Sequence, residues 1–205
     1  MGFKTLPSLD IIQKTIESVQ ARGVNVIFVN DRGAALEKVK ELIPPGAPVM
    51  TGASVTLKEI GLEEMLKNGQ HPWQNLKAAI LAEKDPENQR ALRKQATLAD
   101  YYLGSVNAIS QTGELVIASM TGSQLPAYSF SSKNIIWITG VQKITTSLEE
   151  ALRRVREYVL PLEDKHMKEL GAPGSKIGKI LIFESESPFL NRQITMILVN
   201  EELGF

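Results

Sequence analysis

Pro48-Val49-Met50-Thr51-Gly52-Ala53-Ser54-Val55-Thr56-Leu57-Lys58-Glu59-Ile60-Gly61-Leu62 runs from a short apolar strand through a small, hydroxyl-rich turn into a helix. Small residues let a ligand approach the backbone closely. Free N–H groups at a helix start attract anions. Thr56 and Glu59 have capping-box spacing, which predicts a helix beginning at Thr56 and running to about Leu66. The turn reads in two ways: as a cradle for phosphate or carboxylate, or as a well-capped strand-to-helix connection. The second is the more economical reading of spacing alone.

The same alternation extends to both sides. Ser8 caps a first helix with Leu9, Ile12, Ile16 and Val19 on one face, and Arg22-Gly23 ends it. Val24 to Val29 reads as a buried strand, and Asn30-Asp31 caps a helix with Leu36, Val39 and Ile43 inward. Pro44-Pro45-Gly46 stops that helix. Asn75 to Lys84 is helical, and Asp85-Pro86 starts another helix that carries Arg90, Arg93 and Lys94. Nearby acids make this a solvated helix face, the alternative being a basic face for a partner.

Asp100 to Ser110 reads as a strand with a turn near Gly104-Ser105, and Leu115 to Ser119 as its returning partner. Leu125 to Phe130 is a short helix containing Pro126, and Ile135 to Ile138 a strongly apolar strand. Ser147 and Glu150 cap a helix with Leu148, Leu152, Val155 and Val159 inward. Lys179 to Phe183 and Ile194 to Val199 look like a closing pair of strands.

Short apolar strands alternating with amphipathic helices predict an α/β fold: a mainly parallel sheet with helices on both faces, in a single domain over residues 1–205. Parallel strands deliver their following turns to one edge, where ligands of open α/β sheets bind. The turns expected to meet there are Asn30-Asp31, Thr51 to Thr56, and Thr139 to Lys143.

Lys and Arg balance Asp and Glu at 23 each, which argues against nucleic acid as the main partner. No signal-peptide core opens the chain, and no apolar run has the length of a membrane span, so a cytoplasmic protein is expected. There is no Ser-His-Asp or Cys-His arrangement, P-loop or G-x-G-x-x-G fingerprint.

Several stretches carry a family resemblance in their joint order. They are Ser54-Val55-Thr56-Leu57 with Glu59-Ile60-Gly61-Leu62, Ala99-Asp100, Asn107-Ala108-Ile109, Thr112-Gly113-Glu114-Leu115-Val116, and Thr121-Gly122. Lys133-Asn134-Ile135-Ile136, Gly140-Val141-Gln142-Lys143-Ile144 and Ile194 to Gly204 follow. The chain resembles the LUD family, the lactate-utilisation, YkgG-like group. That resemblance implies a NagB/RpiA/CoA-transferase-like fold whose glycine- and hydroxyl-rich turn holds an anion, here at Thr51, Gly52, Ser54 and Thr56. It also implies a setting in lactate or organic-acid utilisation, beside iron–sulfur redox partner proteins. Gln111 stands where many relatives are acidic, Gln124 where many have Arg, and Gly171 to Gly178 lacks the cysteines of a C-terminal insert.

The expected ligand is a small anionic metabolite or cofactor of unknown identity. Thr51, Gly52, Ser54, Thr56, Thr121, Gly122 and Lys143 are the candidate binding residues. Lys143 offers a point charge to an anion, or is a solvent-facing loop lysine. The weak catalytic candidates are Lys143, Glu59 as a general base, and Asn107 as an amide that fixes a hydroxyl or carbonyl. Capping accounts for Glu59 without a catalytic role, and Asn107 reads equally as closing a turn. Thr121 and Gly122 offer N–H groups to an anion or simply start a helix. Trp73 reads as a hydrophobic plug or an interface residue. The other overall reading is a non-catalytic interaction subunit, or a homo-oligomeric scaffold, that has lost the family's chemistry.

Without cysteine, and with only His71 and His166 far apart in sequence, the chain is expected to hold no iron–sulfur cluster and no zinc. Any iron–sulfur chemistry then belongs to a partner. The purified protein should be colourless and free of stoichiometric iron or zinc. Elemental analysis finding about one tightly held transition metal per chain would overturn this.

Overall fold

A computed structural model describes residues 2–205. The first half alternates as expected: α1 (Leu9–Ala21), β1 (Asn25–Val29), α2 (Arg32–Leu42), β2 (Pro48–Thr51), α3 (Val55–Glu59) and α4 (Leu62–Lys67). Next come β3 (Gln74–Asn75), α5 (Leu76–Ala82), α6 (Pro86–Gln95), β4 (Tyr101–Gly104), β5 (Ala108–Ser110) and β6 (Leu115–Ser119). A π-helical segment, Ala127–Ser131, precedes β7 (Asn134–Gly140), a 3-10 turn (Val141–Lys143) and β8 (Ile144–Thr145). The chain closes with α7 (Leu148–Arg154), a second π-helical segment (Val155–Val159), α8 (Leu160–Glu169), β9 (Lys179–Phe183) and β10 (Gln193–Val199).

The main sheet has six strands in the order β1-β10-β7-β4-β2-β3, all parallel. Its central strands β7 and β10 are apolar at successive positions because both faces are covered. Alternate side chains divide between two cores, as the two-residue period of a strand requires. Ile136, Ile138, Ile197 and Val199 pack with α2, α3 and α4 on one face. Ile135, Trp137, Met196 and Leu198 face the other way, toward α1 and a second sheet.

That second sheet, in the order β8-β5-β6-β9, departs from the sequence expectation. Asp100 to Ser110 divides into β4 and β5, which lie in different sheets. The expected closing pair does not exist. β9 pairs antiparallel with β6, while β10 lies between β1 and β7. The reason is burial: β10 is buried from Ile194 to Val199 and needs a strand on each side, whereas β9 is largely half-exposed and takes an edge. β5 and β6 turn Ile109, Leu115 and Ile117 toward the main sheet, and Ala108 and Val116 toward α7.

Local signals behaved well where capping set the boundary. Ser8, Asp31, Asp85 and Ser147 each accept a hydrogen bond from the first turn of a helix. Leu9 is an exception among the inward residues of α1; it is exposed. The helix after Thr51 starts one step earlier than expected. Ser54, not Thr56, accepts from Leu57 N at 3.4 Å, and Gly61 at φ 82° separates α3 from α4. Trp73 is a plug, donating its indole N–H to the Ile43 carbonyl at 3.1 Å.

An edge-to-face aromatic run ties the two sheets together. Tyr102–Tyr128, Tyr128–Trp137 and Trp137–Phe183 have ring centroids 5.4, 5.6 and 5.2 Å apart. Tyr128 fits because position 104 has no side chain: a Cβ there would lie 1.7 Å from the Tyr128 hydroxyl. Gly104→Ala is therefore expected to cost about 2–3 kcal/mol, the scale of an overpacked core. Tyr128→Phe in the same chain should recover part of that loss. Urea unfolding of the single and double variants checks both.

Candidate functional site

The carboxyl ends of β2, β4 and β7 open onto a cavity of about 650 Å³. Two of the three turns expected to converge do so: Thr51 to Thr56 forms one wall, and Lys143 lies beneath it. Asn30-Asp31 does not line the cavity; Asp31 instead caps α2, accepting from Ala34 N at 2.8 Å. β1 is the edge strand of the sheet, with β10 between it and β7, so its turn lies too far along the edge.

Lys143 is neither a solvent-facing loop lysine nor a free point charge. It is 2% exposed, and its Nζ donates to Thr56 Oγ1 at 3.1 Å, Ser105 Oγ at 3.1 Å and the Val106 carbonyl at 3.2 Å. The 3-10 turn after β7 places its Cα beneath the turns that follow β2 and β4. Among the described residues no carboxylate lies within ion-pair distance of Nζ. Burial pushes its pKa down to about 7, the Arg154 charge acts in the same direction, and Glu59 opposes both.

Arg154 is the second deeply buried cation, at 0% exposed. It donates to the Asn107 carbonyl at 2.5 Å and lies over the Tyr158 ring, 5.0 Å from its centroid. Burial brings its pKa down to about 10, against the opposing fields of Tyr158 and Glu202.

The other sequence candidates separate. Thr51 lines the cavity, and its buried hydroxyl has no hydrogen-bond partner among the described residues. Gly52 lines it too, but its N–H is bonded to the Leu103 carbonyl at 3.0 Å and is not available to a ligand. Ser54 caps α3, while Thr56 accepts from Lys143 and reaches the Leu203 carbonyl at 3.4 Å. The Glu59 carboxylate accepts from Gly204 N at 2.6 Å, so it pins the tail across the edge of the sheet rather than completing a capping box. Asn107 lines the cavity, with its amide oxygen bonded to Ala118 N at 2.7 Å inside the small sheet. Thr121 is on the wall, bonded to Ser123. Gly122 is not on it: its N–H goes to Ser119 Oγ at 2.9 Å, and its φ of 82° makes a turn.

Sequence reasoning read the basic residues of α6 as a solvated face, or as a basic face for a partner, and did not assign them to the ligand site; Lys176, Tyr128, Val155 and Val159 it did not single out for a site at all. Arg90, Arg93 and Lys94 on α6 line the cavity, as does Lys176. Their i, i+3, i+4 spacing on one helix face was the available signal. Tyr128, Val155 and Val159 enter the wall from the two π-helical segments, a geometry frequent at functional sites and without a simple sequence signature. Burial holds the Tyr128 hydroxyl well above its ordinary pKa, so it stays a phenol. Glu163 is the one acidic side chain on the wall among the described residues, and burial raises its pKa, with His166 opposing. No group of three His, Asp or Glu side chains among the described residues is arranged to hold a metal.

Residues 12–199 match the LUD domain. The chain belongs to the LUD domain family. A crystal structure of a DUF162 family protein from Deinococcus radiodurans superposes on this LUD protein with a TM-score of 0.56 at 13% identity. The match covers 95% of this chain and 99% of that one, and at such identity it speaks for the fold. A comparison with curated proteins gave no match. No helix of the described residues is long and apolar enough to cross a membrane.

The buried amine makes stability depend on pH. Its folded pKa lies below the ordinary 10.5, so the unfolded chain holds more protons between about pH 7 and 10. The stabilising contribution is complete above the unfolded value, shrinks as pH falls and is gone below the folded one. Between about pH 7.5 and 9.5, stability should rise by up to about 1.4 kcal/mol per pH unit from this group. Lys143→Met should flatten that slope. Urea midpoints across the window test this, and an unchanged slope in the variant contradicts it.

Proposed function

We propose that this LUD-domain protein binds a small anionic metabolite or cofactor in the cavity at the carboxyl edge of its main sheet. The observation that carries this is the basic face of α6. Arg90, Arg93 and Lys94 line the cavity with no ion-pair partner among the described residues, in a chain whose formal charge is zero. Cations gathered on one wall of a concave site focus field on an anion there. The half-exposed apolar wall residues Leu160, Met167 and Ile177 favour a ligand with an apolar part beside its charge. Family membership makes organic-acid utilisation the metabolic setting we favour, with the protein acting as an enzyme or an accessory subunit there.

Phosphorylated sugars, nucleotides, acyl-CoA, 2-hydroxy acids and inorganic pyrophosphate form a direct screen by thermal shift. At least one of these anions should raise Tm, as any ligand of the native state does. The shift should shrink with added salt. Arg90→Glu with Arg93→Glu should abolish it while leaving the ligand-free Tm within a few degrees, because α6 contributes no buried side chain. Absence of any shift at millimolar concentration, or a shift indifferent to the charge reversal, contradicts the proposal.

A further inference from the structure

The oxygens around Lys143 are not equivalent, and their hydrogen-bond accounting singles one out. The Val106 carbonyl only accepts. The Thr56 hydroxyl is directed at the Leu203 carbonyl, 3.4 Å away, and so accepts from the amine. Ser105 Oγ, 3.1 Å from Nζ, is the remaining partner, and its other contacts, to Val106 O at 3.3 Å and Thr56 Oγ1 at 3.4 Å, are long. A neutral amine has two hydrogens and one lone pair. In the ammonium all three oxygens accept from Nζ; in the neutral amine, hydrogens directed to Thr56 and Val106 leave the lone pair for the Ser105 hydroxyl.

The surroundings fit that arrangement. Lys143 is buried behind the wall, while Ser105 is half-buried and on the wall itself, in the turn that leaves the end of β4. The charged groups acting on the amine are Arg154 of α7, which disfavours the ammonium, and Glu59 of α3, which favours it and is itself engaged by Gly204 N. Burial without a carboxylate partner outweighs the latter.

We propose that Ser105 and Lys143 form a serine–lysine catalytic pair that cleaves an anionic acyl ester or thioester held in the cavity. The proposal rests on the cavity being the ligand site and adds a reaction to it. Ser105 Oγ bonds to the acyl carbonyl carbon as its proton passes to Lys143 Nζ. The tetrahedral species collapses, the bond from carbon to the leaving oxygen or sulfur breaks, and the leaving group takes the proton from Nζ. A water molecule then gives a proton to Nζ while its oxygen bonds to the acyl carbon. Ser105 Oγ departs and recovers that proton. The sum is ester plus water giving acid plus alcohol or thiol. The apolar wall around Leu160, Met167 and Ile177 takes the acyl part, and the basic face of α6 takes the anionic part.

A small fluorophosphonate tests the nucleophile directly, because it leaves a covalent phosphonyl group on an activated serine and releases fluoride. The wild-type chain should gain one adduct by intact mass, mapped by peptide analysis to Ser105, and should release p-nitrophenol from p-nitrophenyl acetate with a burst. Ser105→Ala should lose both. Lys143→Met and Lys143→Arg should each lower the labelling rate at least a hundredfold. The arginine variant keeps a donor that cannot accept a proton, and far-UV circular dichroism and Tm report whether either variant is folded. The wild-type labelling rate should rise with pH through neutrality. Equal labelling of wild type and Ser105→Ala, or no labelling of a protein whose Tm still responds to anions, overturns the pair and leaves the anion site standing. Labelling at Ser105 without any anion shift supports the pair and counts against the binding proposal.

Discussion

Strands β7 and β10 are apolar on both faces, and that constraint organises the molecule. A strand of this kind cannot lie at an edge or leave one face in water. One face takes α2 to α4. The other face is larger than α1 alone covers, and the small sheet completes it. The aromatic run from Tyr102 to Phe183 is where the two sheets meet, and its packing demands Gly104 at the end of β4. The cavity lies beside that seam, lined both by main-sheet turns and by residues of β6.

The site's chemistry follows from what the seam excludes. Water is largely kept from Lys143, and no acid replaces it within ion-pair distance among the described residues. Burying an unpaired ammonium is costly, and hydroxyls and a carbonyl compensate only in part. The molecule keeps this group and Arg154 inside together, a pairing that core packing alone would not favour. Such tension between stability and arrangement is common where groups are held for chemistry.

How much of this was legible in the sequence depended on the range of the interactions. Ser8, Asp31, Asp85 and Ser147 marked helix starts because a cap acts over three residues. The parallel α/β class followed from alternating patterns, and the turn at Thr51 to Thr56 was expected at the carboxyl edge of the sheet, where it lines the cavity. Strand order was not legible: nothing near Lys179 or Ile194 says that one joins β6 and the other joins β7. Glu59 has the right spacing for a cap yet spends its carboxylate on Gly204, a residue 145 positions away. Ser105 looked like a turn residue, since what distinguishes it is Lys143 arriving from β7. The basic face of α6 was visible as spacing, but its direction depends on how the segment folds back over β2.

Helix α6 contributes charge to the cavity but no buried side chain to either core. The floor is the opposite: Thr56, Lys143 and Tyr128 are embedded where any change in volume is felt. The site thus has a rigid half and an editable half. On the proposed function, sequence drift on α6 would rewrite which anions are welcomed without passing through unstable intermediates, while drift on the floor is filtered by folding itself. Relatives sharing this fold can then diverge in ligand preference along one exposed helix and keep the buried machinery intact.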